Sequence, residues 1–292
     1  MQEVEDVSDW EHLSESQGGL KPPSKIYLVT GGAGSLGREI VDILIKQGYK
    51  VRAMDNCESN LAALNYPEFQ FTRIYGDIRD YTRVHYAMRG CDTVIHTAAM
   101  KNLDITEGDV PELNRTNITG SENVAKAAIE CGVDCAILIS TDKAVYPASA
   151  YGASKLLAEW IWKWAAKTQT HTRFVTFRSG NFKQSSGNVL EVWDRQQNAG
   201  EPLTITDLDM ERYFIDTKKA AEIVCMLPNR AVNGDVVIPK MQLQKILDLM
   251  FETHPNCTYR TTGVRSGEKR AERLMSDDEQ VTYESEDFVV IS

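Results

Sequence analysis

The sequence lacks several features that mark whole classes of protein. It has no apolar run long enough to cross a bilayer and no stretch that resembles a secretory signal peptide, so we expect no membrane association and a cytoplasmic location. Basic residues are in deficit, because 32 Lys and Arg stand against 42 Asp and Glu, a formal net charge of −10. This balance argues against nucleic acid as a partner, although it allows a local basic pocket.

Cysteine is also sparse. The 292 residues include 6 cysteines, and only Cys131 and Cys135 lie close together. Their spacing matches neither a CxxC site nor the disulfide framework of a secreted protein, so we expect reduced thiols and no metal site. Residues 1–24 are acidic and polar, and we interpret them as an N-terminal extension without a chemical role.

A glycine-rich turn follows the first predicted strand. The apolar run 25–29 precedes glycines at 31, 34 and 37, and an amphipathic helix follows over 39–46. Such glycines allow a tight turn, close approach to a pyrophosphate and close packing of the helix. The glycines alone are also compatible with an ordinary turn, but the flanking strand and helix are the context that a dinucleotide site requires. We therefore predict cofactor contacts from Gly31, Gly34, Ser35, Leu36 and Gly37.

Two acidic residues close the next predicted strands. Asp55 ends the strand 50–54, where a carboxylate can bind the ribose hydroxyls of NAD and repel the 2′-phosphate of NADP. The alternative is an ordinary strand-end Asp, and Arg52 and Arg73 leave NADP possible. Asp77, followed by Ile78, is placed to contact the adenine or to act as a turn residue.

Strands and helices alternate through the first part of the chain. Further strands are predicted over 69–75, 92–96, 135–139 and 173–178, with helices between them. Parallel strands need crossover helices, so the pattern predicts an α/β fold with a Rossmann-type, doubly wound parallel sheet. His96 is expected to pack at a strand end, and the small residues Ala98 and Ala99 allow a cofactor to lie against the backbone.

Two proton-handling pairs lie between residues 140 and 155. Tyr151 and Lys155 are spaced i, i+4 in a helical pattern, so they share a face where an ammonium can lower the pKa of a phenol. Asp142 and Lys143 form a second acid/base pair at a predicted strand end, where doubly wound sheets bind ligands. Two such pairs indicate a reaction with more proton transfers than the oxidation of an alcohol requires.

These motifs together resemble the extended short-chain dehydrogenase/reductases. The resemblance is carried by Thr30-Gly-Gly-Ala-Gly-Ser-Leu-Gly37, Asp77-Ile78, His96-Thr-Ala-Ala99 and Tyr151-Gly-Ala-Ser-Lys155. Within that superfamily, Ser140-Thr-Asp-Lys-Ala144 is similar to the UDP-N-acetylglucosamine 4,6-dehydratases that invert carbon 5, a polysaccharide biosynthesis family. The match covers roughly residues 25 to 280.

The resemblance implies a division of the chain and of its catalytic work. It implies a Rossmann core over 25–180 and a smaller substrate-binding lobe, mainly 181–292, interleaved with the core. Tyr151 and Lys155 would serve redox chemistry at carbon 4, Asp142 and Lys143 would serve elimination across carbons 5 and 6, and Thr141 would bind the 4-oxygen. NAD, with NADP as the alternative, would be held tightly and regenerated in each cycle.

The family motifs also imply a site for a UDP-sugar. Its diphosphate needs fixed cations and forked donors. The implied substrate-binding residues are Lys101, Arg178, Asn181, Arg212, Arg265 and Glu268. The chain departs from the family pattern at Glu211, where a threonine is usual, and in residues 182–191.

Trp160 and Trp164 share a face of the helix that carries Tyr151. They are either core residues or, by the family resemblance, part of an interface, and we expect a homo-oligomer. Two alternative functions remain: a nucleotide-sugar 4-epimerase or 5,6-dehydratase, which shares the first redox step, and a non-catalytic NAD-binding scaffold, against which the two intact proton-handling pairs argue.

Overall fold

The computed structural model describes residues 25–168, 171–185 and 187–291, and the predicted extension over 1–24 lies outside the described residues. A nine-stranded sheet and two small sheets are formed. The strands are β1 (Ile26–Thr30), β2 (Lys50–Asp55), β3 (Phe71–Tyr75), β4 (Thr93–His96), β5 (Cys135–Thr141), β6 (Arg173–Ser179), β7 (Asn181–Phe182), β8 (Leu203–Ile205), β9 (Glu211–Ile215), β10 (Val236–Pro239), β11 (Gln242–Lys245), β12 (Tyr259–Thr261), β13 (Val281–Glu284) and β14 (Phe288–Ile291).

The helices connect these strands and flank the large sheet. They are α1 (Ser35–Lys46), α2 (Glu58–Ala62), α3 (Tyr81–Met88), α4 (Leu103–Thr106), α5 (Val110–Leu113), α6 (Gly120–Cys131), α7 (Ala150–Thr168), α8 (Val189–Asn198), α9 (Thr217–Arg230) and α10 (Ile246–Thr253). A π-helical stretch, Asn114–Thr119, leads into α6, and a single 3₁₀ turn, Asp142–Ala144, follows β5.

The large sheet has the order β3-β2-β1-β4-β5-β6-β10-β14-β13. Neighbours from β3 to β10 pair in parallel, whereas β14 and β13 are antiparallel. The chain runs outward from β1 to β3 and then returns to place β4 on the other side of β1. This reversal of strand order leaves a crevice at the carboxyl ends of the strands, where doubly wound sheets bind ligands. The structure therefore has the predicted Rossmann-type fold.

Helices cover both faces of the sheet, and this explains the apolar strands. All seven residues of β5 are buried. On one face α1 and α9 pack against the sheet through residues that include Ile40, Leu44 and Val224. On the other face α3, α6 and α7 pack through residues that include Val84 and Trp162. A strand between two helical layers must be apolar on both sides.

The later part of the chain forms a lobe and also returns to the large sheet. The order β11-β9-β7 makes a three-stranded sheet, and β8 pairs with β12. Trp193, Leu249 and Met250 belong to the separate core of this lobe. Strand β11 ends at Lys245, and helix α10 begins directly after it at Ile246.

All six cysteines are free thiols. Over residues 25–168, 171–185 and 187–291, no helix combines the length and the apolar character needed to cross a bilayer.

Candidate active site

A cleft of about 960 Å³ lies at the carboxyl ends of the central strands. One wall is built by the glycine turn and the ends of β2 and β4, and the other by β5, α7 and the C-terminal lobe. Its lining includes most of the predicted site residues: Gly31, Gly34, Ser35, Leu36, Gly37, Asp55, Asp77, Ile78, Ala98, Ala99, Lys101, Thr141, Lys143, Tyr151, Lys155, Asn181, Arg212, Arg265 and Glu268.

The glycine turn leaves no space for side chains where the backbone must pack. Gly31 has φ of +67°, and a Cβ there would lie 2.7 Å from the nitrogen of Ala98. A Cβ on Gly37 would lie 2.2 Å from the carbonyl oxygen of Gly31. Helix α1 begins at Ser35 directly after Gly34, so its N-terminus points toward the cleft. This cradle of backbone N–H groups and a helix dipole fits a pyrophosphate.

Asp55 is fixed beside this cradle. Its Oδ2 accepts a hydrogen bond from the backbone nitrogen of Ala33 at 3.0 Å, and its Oδ1 accepts one from that of Cys57 at 2.9 Å. A carboxylate in this place can accept hydrogen bonds from an adenosine ribose. Arg52 donates to the carbonyls of Ala87 and Arg89, outside the residues that line the cleft.

Arg73 is turned away from the cleft in the same manner, since it donates to the carbonyl of Leu64. Neither of the two arginines that left NADP possible therefore lines the cleft. Asp77 does line it, but its carboxylate is engaged by Arg79 at 2.6 Å and by Asn56 at 3.2 Å. These contacts are those of a turn residue at the edge of the adenosine side.

The loop after β4 is tied to helix α7 through Asn117. The amide of Asn117 accepts from the backbone nitrogen of Met100 at 2.8 Å and donates to the carbonyl of Met100 and the hydroxyl of Ser154. Asn117 sits in the π-helical stretch before α6, and such local irregularities are frequent at functional sites. The contact holds Ala98 and Ala99 at the floor of the cleft.

Asp142 and Lys143 form one hydrogen-bonded pair at the end of β5. The Lys143 Nζ lies 3.0 Å from Asp142 Oδ1, and Thr141 Oγ1 donates to the same oxygen at 2.9 Å. Asp142 is fully buried, whereas the Lys143 side chain is 16% exposed. Asp142 Oδ2 has no hydrogen-bond partner among the described residues. Lys143 and Thr141 line the cleft, whereas Asp142, a predicted catalytic residue, lies behind them and is not among the lining residues.

Tyr151 and Lys155 lie one turn apart in α7, with both side chains at the cleft. Burial lowers the pKa of Lys155 to about 8, and its Nζ donates to the carbonyl of Ile139 at 2.6 Å. Burial raises the pKa of Tyr151 and Asp142 raises it further, while a hydrogen bond with Thr141 opposes this. The lowering of the pKa of Tyr151 by Lys155, which the sequence predicts, is therefore not found with these residues alone.

The C-terminal lobe brings polar groups to the far end of the cleft. Arg212 is 6% exposed and donates to Glu268 at 3.3 Å, and the backbone nitrogen of Arg265 faces the same carboxylate at 3.4 Å. Asn181 donates to the carbonyl of Tyr213. Burial lowers the pKa of Lys101, which also lines the cleft. Arginine forks suit a diphosphate. The guanidinium of Arg212, however, already donates to the carbonyls of Glu211 and Arg270.

Arg178 corrects the sequence prediction of a substrate contact. It does not line the cleft and is only 3% exposed. Its guanidinium donates to Glu159 at 2.7 Å, to Glu279 at 2.7 Å and to the carbonyl of Leu274 at 3.0 Å. These contacts engage the guanidinium from two sides. Arg178 therefore joins β6 to α7 and to the C-terminal segment.

His96 is a packed core residue, as predicted. It is 1% exposed, its ring nitrogens meet the hydroxyls of Thr30 and Ser121, and its ring stacks on Trp162. Burial lowers the pKa of His96 to about 3, with a smaller contribution from Lys155. A neutral, enclosed imidazole of this kind supports the sheet.

Glu272 was not among the residues predicted for catalysis. Its side chain is 2% exposed and its Oε1 lies 4.0 Å from Lys143 Nζ. The sequence offered only a weak signal, since Glu272 closes the run Gly263–Glu272, which also contains Arg265 and Glu268. Lys143 and Glu272 are far apart in the chain, so a local sequence pattern does not predict that their side chains lie close together.

Comparison with known proteins extends these observations. Residues 27–292 match the model of the family described as polysaccharide biosynthesis protein. A Campylobacter jejuni protein named UDP-N-acetylglucosamine 4,6-dehydratase (inverting) is 36% identical over 279 residues, which cover 92% of this chain and 83% of that protein. A Rickettsia conorii protein named UDP-glucose 4-epimerase is 34% identical, covering 87% of this chain and 79% of that one.

The fold also matches a solved structure. The X-ray structure of Pen from Bacillus thuringiensis superimposes with a TM-score of 0.86 at 32% identity, covering 91% of this chain and 87% of that one. The sequence relatives and the structural neighbour thus span the glycine turn, the central cleft and the C-terminal lobe alike.

Proposed function

This chain belongs to the polysaccharide biosynthesis protein family, and on that basis we propose that it is a nucleotide-sugar 4,6-dehydratase. It converts UDP-N-acetylglucosamine to a UDP-4-keto-6-deoxy sugar with inversion at carbon 5. The observation that carries this function is the hydrogen bond of 3.0 Å between buried Asp142 and Lys143, because Lys143 lines the same cleft as Tyr151. A simple alcohol dehydrogenase needs only the Tyr151 and Lys155 pair.

The cofactor is NAD, held in the glycine cradle. Asp55 binds the ribose hydroxyls and disfavours a 2′-phosphate, and the basic side chains of Arg52 and Arg73 are engaged elsewhere by carbonyls. When bound, NAD supplies reversible hydride transfer at the inner end of the cleft. Because the reaction returns the cofactor to its starting state, the protein retains it tightly and needs no external reductant.

Tyr151 removes the proton of the 4-hydroxyl as the sugar is oxidised. The hydrogen bond with Thr141 favours the phenolate that burial and Asp142 oppose, and the positive charge of a bound oxidised nicotinamide would favour it further. Thr141 holds the 4-oxygen. The ketone formed at carbon 4 acidifies the proton on carbon 5, which prepares the elimination.

Lys143, in its neutral form, takes the proton from carbon 5. The electron pair of that C–H bond forms the double bond between carbons 5 and 6, and the 6-hydroxyl leaves as water with the proton that Asp142 donates. Carbon 6 is then reduced, and carbon 5 gains a proton from the opposite face. The sum of these steps is the loss of one water and inversion at carbon 5.

The substrate diphosphate lies at the end of the cleft formed by the lobe. Arg212 and Arg265 bind it, and Glu268 holds the two arginine segments together. Asn181 and Lys101 contact the sugar or its phosphates from the two walls. Arg212 is buried and Arg265 is exposed, and both line the cleft, where they hold the diphosphate in the orientation that brings the sugar ring to Lys143.

The protein acts as a homo-oligomer that pairs through α7. Leu157, Trp160 and Trp164 are 39%, 58% and 58% exposed and recur at helical spacing on one face. Exposed apolar rings on one helix face suit burial against a second copy of the same helix. Trp162, in contrast, is buried within the chain.

The function is tested by incubation with UDP-N-acetylglucosamine in heavy water, followed by mass spectrometry and NMR. We expect loss of water and one deuterium at carbon 5, with inverted configuration. A product of unchanged mass would identify a 4-epimerase, the activity named for the Rickettsia relative. Binding of the nucleotide sugar without any conversion would instead identify a non-catalytic module.

A further inference from the structure

A buried carboxylate from the C-terminal segment lies against the catalytic lysine. Glu272 Oε1 is 4.0 Å from Lys143 Nζ, and Glu272 Oε2 is 2.6 Å from Lys269 Nζ. The Glu272 side chain is 2% exposed and that of Asp142 is 0% exposed. Lys143 thus lies between two enclosed carboxylates, one from its own turn and one from a distant part of the chain.

The position of Glu272 is fixed by contacts to the loop that follows Lys143. Lys269 donates to the carbonyls of Val145 and Tyr146 at 2.9 and 3.2 Å. The Tyr146 hydroxyl accepts from the backbone nitrogen of Asp277 at 2.9 Å. Tyr146 has φ of +48°, a conformation that residues other than glycine rarely adopt and that persists only where neighbours hold it.

The four charges alternate in sign along the row Asp142, Lys143, Glu272 and Lys269. Of these two carboxylates, Asp142 accepts a hydrogen bond from Lys143 Nζ, and Asp142 must carry a proton to act as the acid for the leaving hydroxyl. A protonated Asp142 no longer offers a negative charge to Lys143. The charge that remains beside Lys143 at that moment is the one on Glu272.

We propose that Glu272 is a positioning residue for the elimination step, an inference that rests on the proposed function. It holds Lys143 at carbon 5 and stabilises the ammonium that forms when Lys143 takes the carbon 5 proton. An opposite charge within about 4–6 Å favours the charged form of an amine. Lys269 balances the charge of Glu272 and anchors it to the loop.

The first experiment compares Glu272→Gln and Glu272→Asp with the wild type on UDP-N-acetylglucosamine. On the high-pH plateau of the rate profile, where Lys143 is neutral in both proteins, Glu272→Gln should lower kcat for water loss about ten- to a hundredfold, as loss of a partly screened charge pair predicts. KM should change less than about threefold, because Glu272 contacts Lys143 and Lys269 and does not line the cleft. Glu272→Asp should recover much of the rate, and Asp278→Asn, an exposed carboxylate of the same segment, should match the wild type.

The second experiment needs no turnover. Acetylation of Lys143 by acetic anhydride is followed against pH by peptide mass spectrometry, because only the neutral amine reacts. The titratable groups around Lys143 are Asp142, Glu272, Lys269 and Tyr151. Glu272→Gln should move the reaction to lower pH, and Lys269→Met, which leaves the charge of Glu272 unbalanced, should move it to higher pH.

The two experiments test the role of Glu272 separately from the proposed 4,6-dehydratase activity. A wild-type protein that releases no water overturns the proposed function, yet the acetylation profiles still test the contact between Glu272 and Lys143. An active wild type with an unchanged kcat in Glu272→Gln overturns the inference, as does equal loss in kcat for the Gln and Asp variants. If Glu272→Gln does not fold, unchanged acetylation in Lys269→Met overturns it.

Discussion

The Nζ of Lys143 and the Oδ1 of Asp142 lie 3.0 Å apart, so adjacent residues of one turn form a single hydrogen-bonded acid/base pair. Adjacent residues in a strand point to opposite faces of the sheet. Here β5 ends at Thr141 and the 3₁₀ turn Asp142–Ala144 begins, which allows both side chains to meet. The end of the strand thereby creates the pair on which the elimination depends.

Lys143→Met should stop water loss while leaving the cleft intact. Without the amine, no base reaches carbon 5, and we expect kcat to fall about a hundredfold or more. Deuterium incorporation at carbon 5, followed by NMR, checks this directly. Lys163→Met, an exposed lysine on α7, is the matched control. Rapid carbon 5 exchange in Lys143→Met would assign the base to another residue.

Asp55→Ser should shift cofactor preference from NAD toward NADP. The carboxylate that accepts the ribose hydroxyls would be lost together with its repulsion of a 2′-phosphate, so the affinity for NAD should fall about tenfold or more. Titration calorimetry with both cofactors measures the ratio. Asp42→Asn, which removes a surface partner of Lys46, should leave that ratio unchanged. An unchanged ratio in Asp55→Ser would show that another group selects the cofactor.

The sequence was informative where function depends on neighbours in the chain. The glycine turn and the spacing of Tyr151 and Lys155 are local patterns, and each led to the cleft. The prediction that Arg178 contacts substrate was wrong because its partners, Glu159 and Glu279, lie 19 and 101 residues away in the chain. Only tertiary packing decides whether an arginine faces a ligand or a carboxylate. The proximity of Glu272 to Lys143 was missed for the same reason.

The sequence also did not show which face of helix α7 packs against the sheet. The sequence showed that Trp160 and Trp164 share a face of α7 but could not say whether the core lay on that side. The structure buries Trp162 instead, with its Nε1 donating to the carbonyl of Ala136 at 3.2 Å. Which face is buried depends on how the helix is rotated against the sheet, and that is set by all its contacts together.

Lys155→Met should stabilise the cofactor-free protein at neutral pH. The pKa of Lys155 is lowered by burial from 10.5 to about 8, so below pH 8 both folded and unfolded states are protonated and the cost of burying the ammonium is fully present. The cost is on the order of 3 kcal/mol. As pH rises from about 8 to 10.5, the unfolded state binds more protons, so wild-type stability rises relative to the variant.

Urea unfolding of the wild type and Lys155→Met at a series of pH values tests this. The advantage of the variant should be largest at neutral pH and should disappear near pH 10.5. A difference in the free energy of unfolding that does not vary with pH would contradict it. Lys167→Met, which changes an exposed lysine at the end of the same helix, serves as the control.

Trp160→Glu combined with Trp164→Glu should reduce the oligomer to a monomer. Two charges on the exposed face of α7 cannot be buried against a second copy without a large desolvation cost. Sedimentation at micromolar concentration measures the change. Phe69→Glu, which alters an exposed ring before β3, should leave the assembly intact. A monomeric wild type would remove the proposed interface altogether.

Arg178→Met should destabilise the fold rather than weaken substrate binding. Glu159 and Glu279 would lose their partner inside the protein, a change that typically costs about 3–5 kcal/mol. Arg273→Met, which breaks an exposed pair with Asp277, should cost less than about 1 kcal/mol.

Adding Glu159→Gln and Glu279→Gln to Arg178→Met should recover much of the lost stability, because neutral amides are cheaper to bury than unpaired carboxylates. Denaturant unfolding gives these free energies, and KM for the nucleotide sugar should stay near the wild-type value in every variant that folds. An Arg178→Met protein with normal stability and a raised KM would return Arg178 to the substrate site.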